Sequence, residues 1–133
     1  MKSKKKSAIV LAIALVACCC AGSKLVSAAT YYDFYGAVYA VTDAESANKK
    51  KECTGSAFFN YTYSTNSSIK LVSWVENDSG TNTTYKTKFN SYRTVTMDYK
   101  KASERVGYKH HLNVSTQAGV VDTAFLRGTW TPN

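Results

Sequence analysis

Over most of its length this chain changes character with every second residue, and that period excludes most of the folds open to it. In FFNYTYS, Phe59, Tyr61 and Tyr63 fall on one face, Asn60 and Thr62 on the other. In KLVSWVE, Val72 and Trp74 alternate with Leu71, Ser73 and Val75. In YRTVTMDYK, Val95, Met97 and Tyr99 oppose Thr94, Thr96 and Asp98; in YKHHLNVS, His110, Leu112 and Val114 oppose Lys109, His111 and Asn113. Residues two apart share a face only in an extended chain, so this spacing, rich in aromatic and β-branched residues, predicts half-buried strands. YKTKF and FLRGTW predict two more strands. TYYDFYGAVYAVT predicts another, with Gly36 as a bulge or a point of close approach. STNSS and NDSGTNTT between them carry turn chemistry. The fold class that follows is all-β, a single antiparallel β-sandwich or small barrel of about seven strands. Parallel pairing would need long crossovers that this chain lacks.

Two stretches break the period. DAESANKKK, residues 43–51, is polar with no apolar stripe and reads as a solvated loop or a single helical turn. KKASERVG, residues 100–107, reads as a short helical turn or a long hairpin loop. With no internal repeat and no linker, the chain beyond the N-terminal segment is one domain, large enough to bury a core.

That N-terminal segment has its own logic. MKSKKK carries four lysines, and SAIVLAIALVA after it is apolar and uncharged. A basic start and a short apolar run form the layout of a secretory signal peptide. The run is too short for a spanning helix, which needs roughly 20 residues. Two cuts fit. Small residues at Ser27-Ala28-Ala29 place an ordinary cut near Ala29, giving a signal peptide over 1–29 and a secreted β domain over 30–133. Leu15-Val16-Ala17-Cys18 instead resembles a bacterial lipobox, with Cys18 the lipid-bearing residue and the protein tethered to the outer face of the cytoplasmic membrane.

The ordinary cut changes the charge argument. Five of the seventeen Lys and Arg precede Thr30, which leaves twelve against nine acids and lowers the net charge from +8 to +3. A weakly basic domain has no footprint for nucleic acid, so none is expected as a partner. Cys53 then stands alone, excluding an internal disulfide framework. It sits in KKKECTG, where neighbouring lysines would favour a reactive thiolate. The competing reading is a small apolar filler. Five Asn-x-Ser/Thr sequons, at Asn60, Asn66, Asn77, Asn82 and Asn113, read as surface polar positions.

No residue pattern supports catalysis. His110 and His111 are adjacent on a strand and point to opposite faces, so they cannot readily share a metal. His110 falls on the apolar face as a hydrogen-bonded core histidine. Glu76 and Asp78 sit beside Asn77, Ser79 and Gly80 and read as part of a turn rather than as a glycosidase pair. No nucleophile elbow and no phosphate-cradling loop is present. Neither a catalytic residue, nor a metal site, nor a cofactor is expected, and the protein is read as not an enzyme.

Aromatic residues carry the remaining signal. All ten tyrosines lie after Ala29. Tyr31, Tyr35 and Tyr39 share one face of the first strand, opposite Tyr32, Phe34 and Val38. An exposed tyrosine row suits sugar rings, peptides or a headgroup boundary, because each ring joins an apolar body to a polar tip. These three are the candidate binding residues; an ordinary strand-forming role competes.

The C-terminal FLRGTWTPN, with Gly128-Thr129-Trp130-Thr131-Pro132, resembles the tails of small exported proteins of Gram-positive bacteria that finish in Gly-x-Trp-Ser/Thr-Pro. GYKHHLNVSTQ is similar to their penultimate strand. The resemblance covers the last quarter of the chain, and Asn133 replaces the usual terminal acid. It implies export and no catalytic residues; some members are similar in size and signal to secreted bacteriocins. On physical grounds Trp130 belongs in the core beside Leu126, with Gly128 allowing close strand approach.

The expected function is surface binding at or beyond the bacterial cell envelope, to an envelope, glycan or protein partner. The alternative is a bacteriocin- or toxin-like antagonist acting on an envelope or membrane, motivated by the amphipathic run TNTTYKTKFNSYRTVTMDYK. Membrane contact would come only through that mode or through a lipidated Cys18.

Overall fold

The computed structural model describes residues 17, 18, 27–40, 42–101 and 106–133. Of the expected signal peptide, only residues 17, 18 and 27–29 fall within that description; the Cys18 side chain and residues 102–105 of the 100–107 segment lie outside it. Ala17–Cys18 (β1) and Ser27–Ala28 (β2) pair as a two-residue ladder. The remaining strands are Tyr32–Val38 (β3), Ala44–Glu45 (β4), Lys49–Lys50 (β5), Ala57–Ser64 (β6), Leu71–Asn77 (β7), Thr87–Phe89 (β8), Arg93–Met97 (β9), Lys109–Thr116 (β10) and Ala124–Thr131 (β11). They form two antiparallel sheets packed face to face, a sandwich and not a closed barrel. Sheet I runs β3-β11-β6-β9. Sheet II runs β4-β10-β7-β8, with β5 also on β10.

Alternation puts one set of side chains between the sheets. Phe34 and Val38 of β3, Phe59 and Tyr61 of β6, Val95 and Met97 of β9, and Leu126 and Trp130 of β11 face inward from sheet I. Leu71 and Val75 of β7, Phe89 of β8, and Leu112 and Val114 of β10 meet them from sheet II. At the centre, Phe59 meets Phe34 edge-on at 5.1 Å and Phe89 at 6.1 Å, while Tyr61 meets Phe89 at 5.4 Å. Such tilted pairs suit the ring quadrupole and contribute beyond their area. Trp130 is fully buried on the same side as Leu126, and Pro132 follows the end of β11. Two glycines permit close approach. A Cβ at Gly36 would overlap Ala44 of β4, and one at Gly128 would overlap the Asn60 carbonyl and the Phe59 ring.

Three expectations need correction. First, residues 43–51 are neither loop nor helical turn; they form an interrupted edge strand along β10. Asn113 and Val114 pair with Glu45 and Ala44, and Lys109 and His110 with Lys50 and Lys49. Between them the Ser46 hydroxyl accepts from the Leu112 N–H at 2.9 Å, doing what a carbonyl does in a regular ladder. An edge strand with one side in water needs few apolar residues, so only Ala44 marks it. Second, Tyr63 does not share the face of Phe59 and Tyr61. The register slips between Arg127 and Gly128, which pair with Tyr63 and Tyr61, and the extra residue Thr62 turns Tyr63 outward. Third, Asn113 is not a surface position: it is 1% exposed although it points away from the core.

Chain order does not follow a meander. Within sheets I and II, apart from the β4–β5 edge, β7 and β8 are the only consecutive described strands that pair with each other. The sheets are also tied at one side by the 82–85 segment. Thr83 bonds to Val75 of β7, while its carbonyl accepts from Lys100 and Tyr85 donates to Asp98 beyond β9.

Candidate binding surface

The outer face of sheet I carries an exposed aromatic platform organised by one arginine. Arg127, on β11, stands directly opposite Tyr35 of β3 on one side and Tyr63 of β6 on the other. Its guanidinium carbon lies 5.7 Å from the Tyr35 ring centre and 5.5 Å from that of Tyr63. Both rings are about half exposed, at 59% and 46%. A guanidinium between two ring faces holds both through cation–π attraction, worth about 0.5–1 kcal/mol per exposed pair. The bulge at Thr62 is what brings Tyr63 to this face, and the Thr62 hydroxyl donates to the Arg127 carbonyl at 3.4 Å.

Further along the same face, Tyr39 and Phe125 border a shallow hollow of about 270 Å³ with Ala37 and Thr65. Thr65 clamps the start of β11: its N–H donates to the Phe125 carbonyl at 3.1 Å and its hydroxyl accepts from the Phe125 N–H at 2.9 Å. Tyr35, Tyr39 and Phe125 are all exposed. Tyr31 is different. It precedes β3 and is partly buried, and burial pushes its phenol above the ordinary value. Of the three tyrosines singled out in the sequence, two therefore lie on the platform. Their nearest companions, Arg127, Tyr63 and Phe125, come from strands far away in sequence. Only the outward parity of Arg127 and Phe125 on β11 was readable beforehand.

The histidines occupy different environments. His110 is fully buried, its Nδ1 3.1 Å from the Tyr108 carbonyl and its ring edge-on to Tyr99 at 5.6 Å. His111 faces outward, with Nδ1 3.0 Å from Asn48 Oδ1 and Nε2 3.4 Å from Glu76 Oε2. Glu76 in turn accepts from the Trp74 indole N–H at 2.7 Å. This Asn48–His111–Glu76–Trp74 chain was not visible in the sequence, because it spans three strands. Both ring nitrogens of His111 are engaged and the chain contains no nucleophile. Asp78 lies in the turn after β7, where Asn77 Oδ1 accepts from Ser79 and Thr81 and Gly80 takes a φ of 78°. Among the described residues no group of three His, Cys, Asp or Glu is placed to hold a metal ion.

The lysine run before Cys53 serves packing. Lys49 lies 4.6 Å over the Tyr32 ring. Lys51 turns inward and is 1% exposed; its ammonium donates to the carbonyls of Gly55 and Pro132 at 2.7 and 3.2 Å and sits 3.9 Å over Tyr99. The main-chain oxygen of Asn133 accepts from the N–H groups of Glu52 and Cys53 at 3.0 and 2.9 Å. These bonds tie the tail after β11 into the sandwich. Cys53 is 1% exposed, which favours the filler reading over a reactive thiol.

The run from 81 to 100 uses its apolar side internally: Phe89, Val95 and Met97 are at most 4% exposed. No helix among the described residues is long and apolar enough to cross a membrane. No protein-family model matches the chain, and no curated protein or solved structure resembles it. The class that fold and surface define is an antiparallel β-sandwich with an aromatic outer face.

Proposed function

We propose that this protein is a secreted, non-enzymatic binding module that works at or beyond the bacterial cell envelope, with the outer face of sheet I as its contact surface. The observation carrying this reading is the Tyr35–Arg127–Tyr63 ladder. Three large side chains from three strands are held in a fixed row with their polar tips in water. Such a row meets a partner with little further loss of side-chain freedom, which is the usual cost of binding through long residues. Aromatic rings and arginine are also the groups that dominate binding energies at interfaces. The signal-like N-terminus and the C-terminal resemblance to exported Gram-positive proteins support the location.

The test is co-sedimentation of the secreted protein with washed envelopes and with purified wall glycan. The wild type is expected in the pellet. Tyr35→Ala with Tyr63→Ala should release it by about tenfold while the thermal midpoint hardly moves, since exposed positions seldom affect stability by more than about 0.5 kcal/mol. Retention of that variant equal to wild type would remove the platform from the reading. Release of dye from lipid vesicles by wild type and variant alike would replace it with the antagonist alternative. Intact mass of the secreted form should place the N-terminus near Thr30; a mass showing acylated Cys18 would indicate a tethered protein.

A further inference from the structure

The opposite face of the sandwich holds a second, separate feature. On the outer side of sheet II, Val72 and Trp74 of β7 floor a hollow of about 440 Å³, a size typical of small-molecule sites. Lys86 and Lys88 border it from the β8 side, and Asp43 and Gln117 complete its rim. Asp43 precedes β4. Because sheet II runs β4-β10-β7-β8, the acid and the two lysines stand on opposite sides, about 14 Å apart by three strand spacings. The hollow is thus polarised, with both of its cations at one end.

Its floor is pre-arranged in an unusual way. Trp74 points away from the core yet is only 5% exposed. Its indole N–H is fixed by Glu76 at 2.7 Å, and Glu76 is itself held by His111. The Lys86 ammonium rests 3.9 Å above the indole ring. An exposed lysine normally loses much side-chain freedom when it binds an anion; here the cation–π contact has already ordered it. The Gln117 carboxamide is likewise held, donating to the Leu71 carbonyl at 2.9 Å.

From this geometry we propose that the sheet II hollow is a binding site for an acidic saccharide, a sugar unit carrying one carboxylate or phosphate. The anionic substituent pairs with Lys86, with Lys88 beside it. The C–H face of the sugar lies against Val72 and the edge of Trp74. Hydroxyls at the far end meet Asp43 and Gln117, where a carboxylate accepts hydrogen bonds and repels a second anion. A neutral sugar forgoes the ammonium, and an inorganic anion forgoes the apolar floor, so both halves of the ligand are needed. This site does not depend on the sheet I platform, and either can fail without the other.

Titration of the secreted protein with galacturonic acid oligomers, glucose 6-phosphate, neutral glucose oligomers and inorganic phosphate tests the proposal. The readout is the indole Nε1–H resonance of Trp74. Trp130, buried between the sheets, serves as an internal reference that should not move. The acidic sugars are expected to shift the Trp74 signal with saturation, and the two acidic probes report whether carboxylate or phosphate is preferred. Lys86→Gln should weaken binding about tenfold and Lys88→Gln somewhat less, the usual effect of losing a charge-assisted contact. Raising the salt concentration should weaken binding further. Lys88 stands opposite Val72 while Lys86 covers the indole, so Lys88→Gln reads ligand charge with the Lys86–Trp74 contact kept. The proposal is overturned if neutral oligomers bind equally well, if inorganic phosphate alone produces the full shift, if both lysine variants bind like wild type, or if no probe moves the Trp74 resonance.

Discussion

Replacing Trp130 by alanine removes the largest fully buried side chain of the sandwich. Its ring packs against Tyr32 with centres 6.4 Å apart, and β11 lies between β3 and β6, so the residue is surrounded rather than at an edge. Truncation of a buried Trp costs about 3–5 kcal/mol, because a cavity remains where the ring was. A domain of this size has about 5–15 kcal/mol in total. At roughly 4–8 °C per kcal/mol, the thermal midpoint should fall by roughly 12–40 °C. Phenylalanine separates packing from polarity. Among the described residues the Trp130 Nε1–H has no hydrogen-bond partner, and an unsatisfied buried donor costs about 1–3 kcal/mol. Trp130→Phe loses some contact area but also removes that cost, so its net effect should stay within about 1.5 kcal/mol. Trp74→Ala is the control: its ring lies on the outer face, where truncation opens to solvent and leaves little cavity, and it should cost less than half as much as Trp130→Ala. Thermal and urea unfolding followed by circular dichroism on the secreted chain measure all three. A shift below about 5 °C for Trp130→Ala, or equal costs at Trp130 and Trp74, would refute the reasoning.

Gly128→Ala should destabilise by about 1–3 kcal/mol, since its Cβ meets the Asn60 carbonyl, a backbone atom unable to yield; urea midpoints check this. Lys51→Met keeps length but leaves the Gly55 carbonyl without its ammonium donor and the Pro132 carbonyl with the Tyr99 hydroxyl, and should cost about 1–3 kcal/mol with faster amide exchange in the tail after β11. Burial holds the phenols of Tyr31, Tyr32 and Tyr61 above their ordinary 10.0, so the unfolded chain ionises first. Stability is therefore full below pH 10 and falls as pH climbs past it; Tyr61→Phe should flatten that alkaline decline in a series of thermal midpoints. Cys53 should react with a thiol reagent only as fast as the sandwich opens, and addition of urea should accelerate labelling steeply.

The sequence by itself determined that this chain is an antiparallel all-β structure, sandwich or small barrel, and which side of most strands faces inward; the pairing of strands into two sheets decided for the sandwich. Period two is a local property: Val95, Met97, Leu112, Val114 and Leu126 could be assigned to the core without knowing their partners. The same local signal placed Trp130 in the core and the residues around Gly80 in a turn. What tertiary structure decided were the features that depend on a neighbouring strand. The bulge at Thr62 is set by pairing with β11, and it alone moves Tyr63 from the core face to the platform. The 43–51 segment became an edge strand because β10 offered it a ladder, and its own residues carried almost no apolar signal. Trp74 points outward by parity yet is covered, because Lys86 and Glu76 fold over it from adjacent positions in the sheet. Tyr35, Arg127 and Tyr63 are 28 or more residues apart in the chain and became neighbours only when β3, β11 and β6 paired. Alternation records whether a side chain meets the core or water; it holds no record of which strand lies alongside, and on the outer faces of a sandwich that neighbour is what makes a surface a site.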